Sequence, residues 1–179
     1  MSTELPQKKH SPHLQGRVAI VCATYNEKFT SALLKNCLDE LNESASGVET
    51  DIVRVPGAFE VPVMVQRVIS GTSGYQKPDV VVALGVILRG STAHADLIGT
   101  AVTNKLLDMA CYHETPIIHE VLLLDDEQQA FARCIASSLN RGREARRAAI
   151  NMLELLNEQA ETRRMTERAG KISRTGSLI

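Results

Sequence analysis

A chain of 179 residues, 44% hydrophobic and 23% charged with a net charge of -1, is long enough to bury a core of its own and is expected to form one globular domain. Near-neutrality leaves no basic field to draw in nucleic acid or an anionic membrane surface, and no apolar run reaches the about 20 residues of a membrane-spanning helix. The opening MSTELPQKKHSPHLQ lacks the apolar stretch of a secretory signal, so a cytoplasmic protein is expected.

In chain order, residues 17–23 (RVAIVCA) read as a first strand, followed by a helix that presents Leu34, Leu38 and Leu41 on one face. Residues 48–55 (VETDIVRV) form a second strand, and Met64, Val65, Val68 and Ile69 mark a second helix. A third strand at 79–87 (DVVVALGVI) precedes a helix carrying Ile98, Val102, Leu106 and Met109. A fourth at 116–124 (PIIHEVLLL) leads to a helical stretch with Phe131, Cys134 and Ile135 inward. A last helix begins near Arg143 and presents Ala145, Ala149, Met152 and Leu156. The first, third and fourth strands are nearly continuous apolar runs, which suits parallel strands covered on both faces. Strands alternating with helices predict an α/β fold: a three-layer αβα sandwich on a four-stranded parallel sheet, flavodoxin-like in arrangement.

The packed domain is placed at residues 16–158, between a flexible segment at 1–15 and a basic, mobile tail at 159–179. Cys22, Cys37, Cys111 and Cys134 are widely spaced, without a C-x-x-C pair, and read as reduced, small apolar residues. His10, His13 and His113 read as surface residues, and Arg146 with Arg147 as a solvated helix face.

In parallel sheets of this kind the ligand sits beyond the carboxyl ends of the strands. That rule selects four loops, ATYNEKF, PGAFEVP, LRGSTAH and LDDEQQ. Glu60 stands among Val55, Ala58, Phe59, Val61 and Val63, and a buried carboxylate without a partner is costly, so either it reaches solvent or a bound molecule donates hydrogen bonds to it. Pro56 and Pro62 stop this run from continuing as a strand or a helix interior. Gly90 with Ser91 and Thr92, just ahead of a helix, forms a natural phosphate cradle, or else a hydroxyl caps that helix. His94 near a positive helix end is a candidate for moving protons, against the plainer reading of an exposed helix residue. Arg133 is a candidate to clamp a phosphate with two parallel hydrogen bonds, or is an exposed helix arginine. Asp125, Asp126 and Glu127 are expected to complement the macrodipole of a helix start rather than hold a metal.

PGAFE with RGSTAH, preceded by Tyr25-Asn26 and followed by EQQAFAR and NRG, resembles the lumazine synthase family from about Arg17 to Asn157. The resemblance implies condensation of 5-amino-6-ribitylaminouracil with 3,4-dihydroxy-2-butanone 4-phosphate to 6,7-dimethyl-8-ribityllumazine, phosphate and water, without cofactor or metal. It implies that Tyr25 stacks on the pyrimidine, beside Asn26, and that Ala58 and Phe59 meet the ring and ribityl chain through their backbone. Glu60 accepts from ribityl hydroxyls, and Val86, Ile87 and Leu88 complete that part of the site. Gly90, Ser91 and Thr92 hold the phosphate, His94 moves protons, and Arg133 and His119 arrive from an adjacent subunit. Family members form pentamers, some assembled into shells. His119 and Glu120 stand where an aromatic and a glycine are common. Ala95 and Leu97, and Cys134 and Ile135, likewise depart from the family pattern. The competing expectations are a lumazine- or riboflavin-binding relative without turnover and a shell-forming scaffold.

Overall fold

The computed structural model describes residues 11, 13–45, 47–72 and 74–175, without the side chains of 41–44 and 170–175. His10 and the side chain of Leu41 lie outside the described residues. Strands β1 (Gly16–Ala23), β2 (Val48–Val55), β3 (Val80–Leu88) and β4 (Ile117–Leu124) form one sheet in the order β2-β1-β3-β4. Every neighbouring pair is parallel. Helix α1 (Glu27–Ser44) follows β1, and a single 3₁₀ turn (Ala58–Glu60) and α2 (Val61–Ile69) follow β2. Helix α3 (His94–His113) follows β3. The short α4 (Glu127–Ala130) runs into a π turn (Phe131–Ile135), and α5 (Arg141–Thr175) closes the described chain.

The near-continuous apolar strands are explained by burial on both sides of the pleat. Val18, Ile20 and Cys22 of β1 and Val80, Val82 and Leu84 of β3 pack with Leu33 and Cys37 of α1 and Ala149 and Leu153 of α5. Ala19, Val21, Val81 and Ala83 turn the other way, against Val61, Val65 and Val68 of α2 and Val102, Leu106 and Met109 of α3. The expected three layers follow directly from this alternation, and each strand lies within one residue of its expected bounds.

Helix ends and single side chains differ more. Asn140 starts α5 two residues early, because its Oδ1 accepts from the backbone of Gly142 at 3.1 Å and Arg143 at 3.3 Å as an N-cap, while its Nδ2 donates to the carbonyls of Cys134 at 3.0 Å and Ala136 at 2.9 Å. The helix then continues to Thr175, past the expected domain limit, although residues 158–169 are exposed. Phe131 does not face the core: it is exposed, because the wider π turn rotates it away while Cys134 remains buried. Cys111 is exposed, unlike the other three thiols, and all four are free. His113 is half-buried, its Nε2 2.9 Å from the Gln66 amide nitrogen.

The largest correction concerns Arg146, which is fully buried rather than solvated. All three of its guanidinium nitrogens lack a hydrogen-bond partner, and burial brings its pKa down to about 10. Arg147 instead donates from Nε to Glu40 at 2.7 Å. Helices α1 and α5 approach closely here, where a Cβ on Gly142 would stand 2.3 Å from the Leu33 carbonyl oxygen. On the same side of the sheet Glu120, 4% exposed, accepts from Arg141 Nε at 3.0 Å. Among the described residues no helix is long and apolar enough to cross a membrane.

Candidate active site

Hydrogen bonds continue past the carboxyl ends of the strands and align the loops that leave them. The backbone N–H of Thr24 donates to Val55 at 2.7 Å and that of Tyr25 to Pro56 at 2.8 Å, so the loop after β1 lies along the loop after β2. Asn26 adopts a left-handed conformation at φ 58°, which its short polar side chain tolerates. From there its Nδ2 donates to the Val86 carbonyl at 2.9 Å, fastening this loop to β3. The Arg89 N–H donates to Leu124 at 2.9 Å and does the same between β3 and β4.

A cavity of about 630 Å³ opens above these ends. Tyr25 and Asn26 line it from the first loop, and Ala58, Phe59 and Glu60 from the 3₁₀ turn. Val86, Ile87 and Leu88 supply the floor, with Gly90, Thr92 and His94 on the remaining side. Eleven expected site residues therefore share one hollow. Ser91 sits exposed between two of its lining residues. Tyr25 is 74% and Phe59 64% exposed, so both rings stand at the rim with faces open to a planar ligand.

The Glu60 carboxylate is neither buried in the core nor free. Its Oε2 accepts from the Gly57 N–H at 2.9 Å, closing the 3₁₀ turn on itself. Pro62 then occupies the first turn of α2, where its missing N–H costs nothing. One carboxylate oxygen is thus used to shape the loop, and the remaining acceptor capacity faces the hollow.

At the other end of the cavity Ala93 is the N-cap of α3, and no side chain caps that helix. Neither Ser91 nor Thr92 serves the capping role that was the plain alternative. The exposed loop 90–93 ends at His94, the first residue of α3. Its anchor is Arg89, a residue for which the sequence suggested no role. Arg89 Nη2 and Nε donate to Asp96 Oδ1 at 2.7 and 3.2 Å, and Nη1 to Asp125. The Gln129 amide, donating to Asp125 at 2.8 Å, and then Arg89 hold the Asp125 carboxyl below the usual range. Asp126 caps α4 by accepting from the Gln129 N–H at 2.8 Å.

Arg133 and His119 are not among the residues lining the cavity of their own chain. Arg133 lies half-buried in the π turn. His119 Nε2 is 3.0 Å from Thr103 Oγ1, between β4 and α3, and burial lowers its pKa. Sequence reading also missed Gly57, Ala95 and Ile98 as lining residues. The first was legible as the Pro-Gly turn; Ile98 follows His94 by one helical turn, the spacing that puts two residues on one face.

A model of the 6,7-dimethyl-8-ribityllumazine synthase family matches residues 15–157. A 6,7-dimethyl-8-ribityllumazine synthase of Nitrobacter hamburgensis is 35% identical over 151 residues, 84% of this chain and 91% of that protein. One of Rhodopseudomonas palustris is 32% identical over 140 residues, 78% of this chain and 85% of the relative. The matched span takes in every loop of the cavity and the whole sheet beneath it, and the chain belongs to the 6,7-dimethyl-8-ribityllumazine synthase family.

Proposed function

We propose that this chain condenses 5-amino-6-ribitylaminouracil with 3,4-dihydroxy-2-butanone 4-phosphate, releasing 6,7-dimethyl-8-ribityllumazine, phosphate and water, in riboflavin biosynthesis. The observation that carries the reading is the single hollow in which Tyr25, Glu60, Thr92 and His94 meet. An aromatic ring, a carboxylate, an uncapped loop of backbone donors and an imidazole are what an aryl polyol and a phosphorylated ketone require. Tyr25 stacks on the pyrimidine, Glu60 accepts from the ribityl hydroxyls, and the loop at Gly90, Ser91 and Thr92 receives the phosphate. His94 shuttles protons while the 5-amino group forms an imine with the ketone, phosphate leaves and the ring closes. Both substrates are reactive, so alignment is the main task, and it supplies on the order of 7–11 kcal/mol in favourable cases. No cofactor or metal enters this scheme, and no nucleic acid; the reaction is placed in the cytoplasm.

The packed unit of this reading is residues 16–158, and it works as a homo-oligomer, a pentamer or a multiple of one, in which Arg133 and His119 complete the cavity of the adjacent subunit. Support comes from the apolar side chains left exposed at Phe59, Val63, Leu97 and Leu107. A second hollow of about 480 Å³ between α2 and α3, lined by Phe59, Val63 and Met109, adds to that face.

The test is to mix purified protein with both substrates and follow the fluorescent lumazine. His94→Ala is expected to lower kcat without abolishing turnover, and Arg133→Ala chiefly to raise the KM of the phosphorylated substrate. No acceleration by the parent protein over the spontaneous reaction would sink the proposal, and tight riboflavin binding without turnover would replace it with a binding role.

A further inference from the structure

The loop that faces the cavity at 90–93 has little to hold it. Gly90, Ser91 and Thr92 are exposed, and a Cβ on Gly90 would meet nothing within 4 Å. No side chain caps the helix that follows. A loop so loosely surrounded presents its N–H groups in many directions, and a phosphate then has to order it on binding, which weakens affinity.

One side chain opposes that freedom. Arg89 precedes the loop, and its guanidinium reaches across to Asp96 beyond it, with two nitrogens on the same carboxylate oxygen at 2.7 and 3.2 Å. A third nitrogen reaches Asp125 at the end of β4. Asp125 is itself fixed twice by Gln129, accepting from its amide nitrogen at 2.8 Å and donating its own N–H to the amide oxygen at 3.1 Å. Both ends of the loop and the neighbouring strand end are thus tied to one planar, always charged group. An isolated exposed ion pair does little, but a guanidinium shared between two carboxylates, one of them anchored, restricts all three.

We propose that Arg89 is the positioning residue of the 90–93 loop, holding its backbone donors ready for a phosphate monoester through Asp96 and Asp125. The inference rests on the reading of that loop as the phosphate cradle. Arg89 is 45% exposed at its side chain, so a second role has to be separated: leaving the acids and binding phosphate directly. The two roles respond oppositely to loss of an acid. Asp96→Asn frees the guanidinium and removes a negative charge, both of which favour a direct ligand, whereas a positioning residue loses its brace.

The experiment measures inhibition by inorganic phosphate and the KM of each substrate in Asp96→Asn, Asp125→Asn, Arg89→Met and Arg89→Lys, with thermal melting as a check on folding. Inhibition by phosphate is expected to weaken roughly 3- to 10-fold in both acid variants and in Arg89→Met, the scale of one ordinary net hydrogen bond, as suits an exposed clamp. The KM of the phosphorylated ketone should rise in parallel and that of the pyrimidine by less than about twofold, with Arg89→Lys intermediate. Tighter phosphate binding in Asp96→Asn would overturn the proposal in favour of direct ligation. Unchanged values in all four variants would show the clamp to be idle. A parent enzyme that turns over but is indifferent to phosphate would remove the cradle itself, and one that does not turn over would remove the catalytic reading first.

Discussion

Glu120 offers the most decisive test of the core. It lies on β4 opposite Leu84, facing α1 and α5, and is 4% exposed. Burial is the chief cause that pushes its carboxyl up, from 4.5 to about 7, with Arg141 opposing the rise and Glu144 adding to it. A carboxyl raised in the folded state stabilises the fold fully below its unfolded value. That contribution is lost as pH climbs from 4.5 to about 7. At about 1.4 kcal/mol for each pH unit, the loss comes to about 3 kcal/mol by pH 8. Glu120→Gln removes the ionisation while its amide oxygen still accepts from Arg141. Urea unfolding of parent and variant at pH 4 and pH 8, at one protomer concentration, should therefore give near-equal stability at the lower pH and a variant more stable by about 3 kcal/mol at the higher. Parallel pH profiles would mean that the carboxyl ionises as it does in water. A variant less stable at pH 8 than the parent would mean that the ion pair with Arg141 outweighs desolvation, and the reasoning would fail.

Two further outcomes follow from the same face of the sheet. Arg146→Met replaces an unpartnered, fully buried guanidinium by an apolar chain of similar length and should stabilise the protein by about 3 kcal/mol in urea unfolding; destabilisation would reveal a partner for the cation. Gly142→Ala drives a Cβ to 2.3 Å from a backbone oxygen of α1, which only movement of a helix can relieve, so a loss of about 2 kcal/mol or more is expected in the same assay.

What was legible in the sequence is tied to patterns that tertiary context cannot easily override. Strands β1, β3 and β4 could be read because burial on both faces forces long apolar runs, and the cavity because strand ends deliver their loops to one edge of a parallel sheet, although of the four loops so selected LDDEQQ does not line it. Arg146 could not be read: its place inward depends on α5 lying close to α1, with the small Cys37 among its neighbours, and no local feature distinguishes it from Arg147. Phe131 was misjudged for a related reason, since the spacing argument assumes a period of 3.6 residues that the π turn breaks. Arg89 escaped notice because its meaning lies in Asp96 and Asp125, seven and 36 positions away.

The segment VPGAFEVP shows why a residue that looks misplaced in sequence need not be strained in the fold. A Cβ on Gly57 would stand 2.9 Å from Glu60 Oε2, so the turn closes around the carboxylate only because glycine leaves room for it. Val61, Val65 and Val68 then carry the apolar load into the core behind the turn, and Phe59 stands outside it. The acid among valines is therefore the hinge point of an amphipathic element, with its charge on the open side. Gly57→Ala should displace the carboxylate and raise the KM of the pyrimidine substrate, with a smaller effect on that of the phosphorylated ketone. An equal rise for both would mean that the turn supports the whole cavity rather than the acid alone.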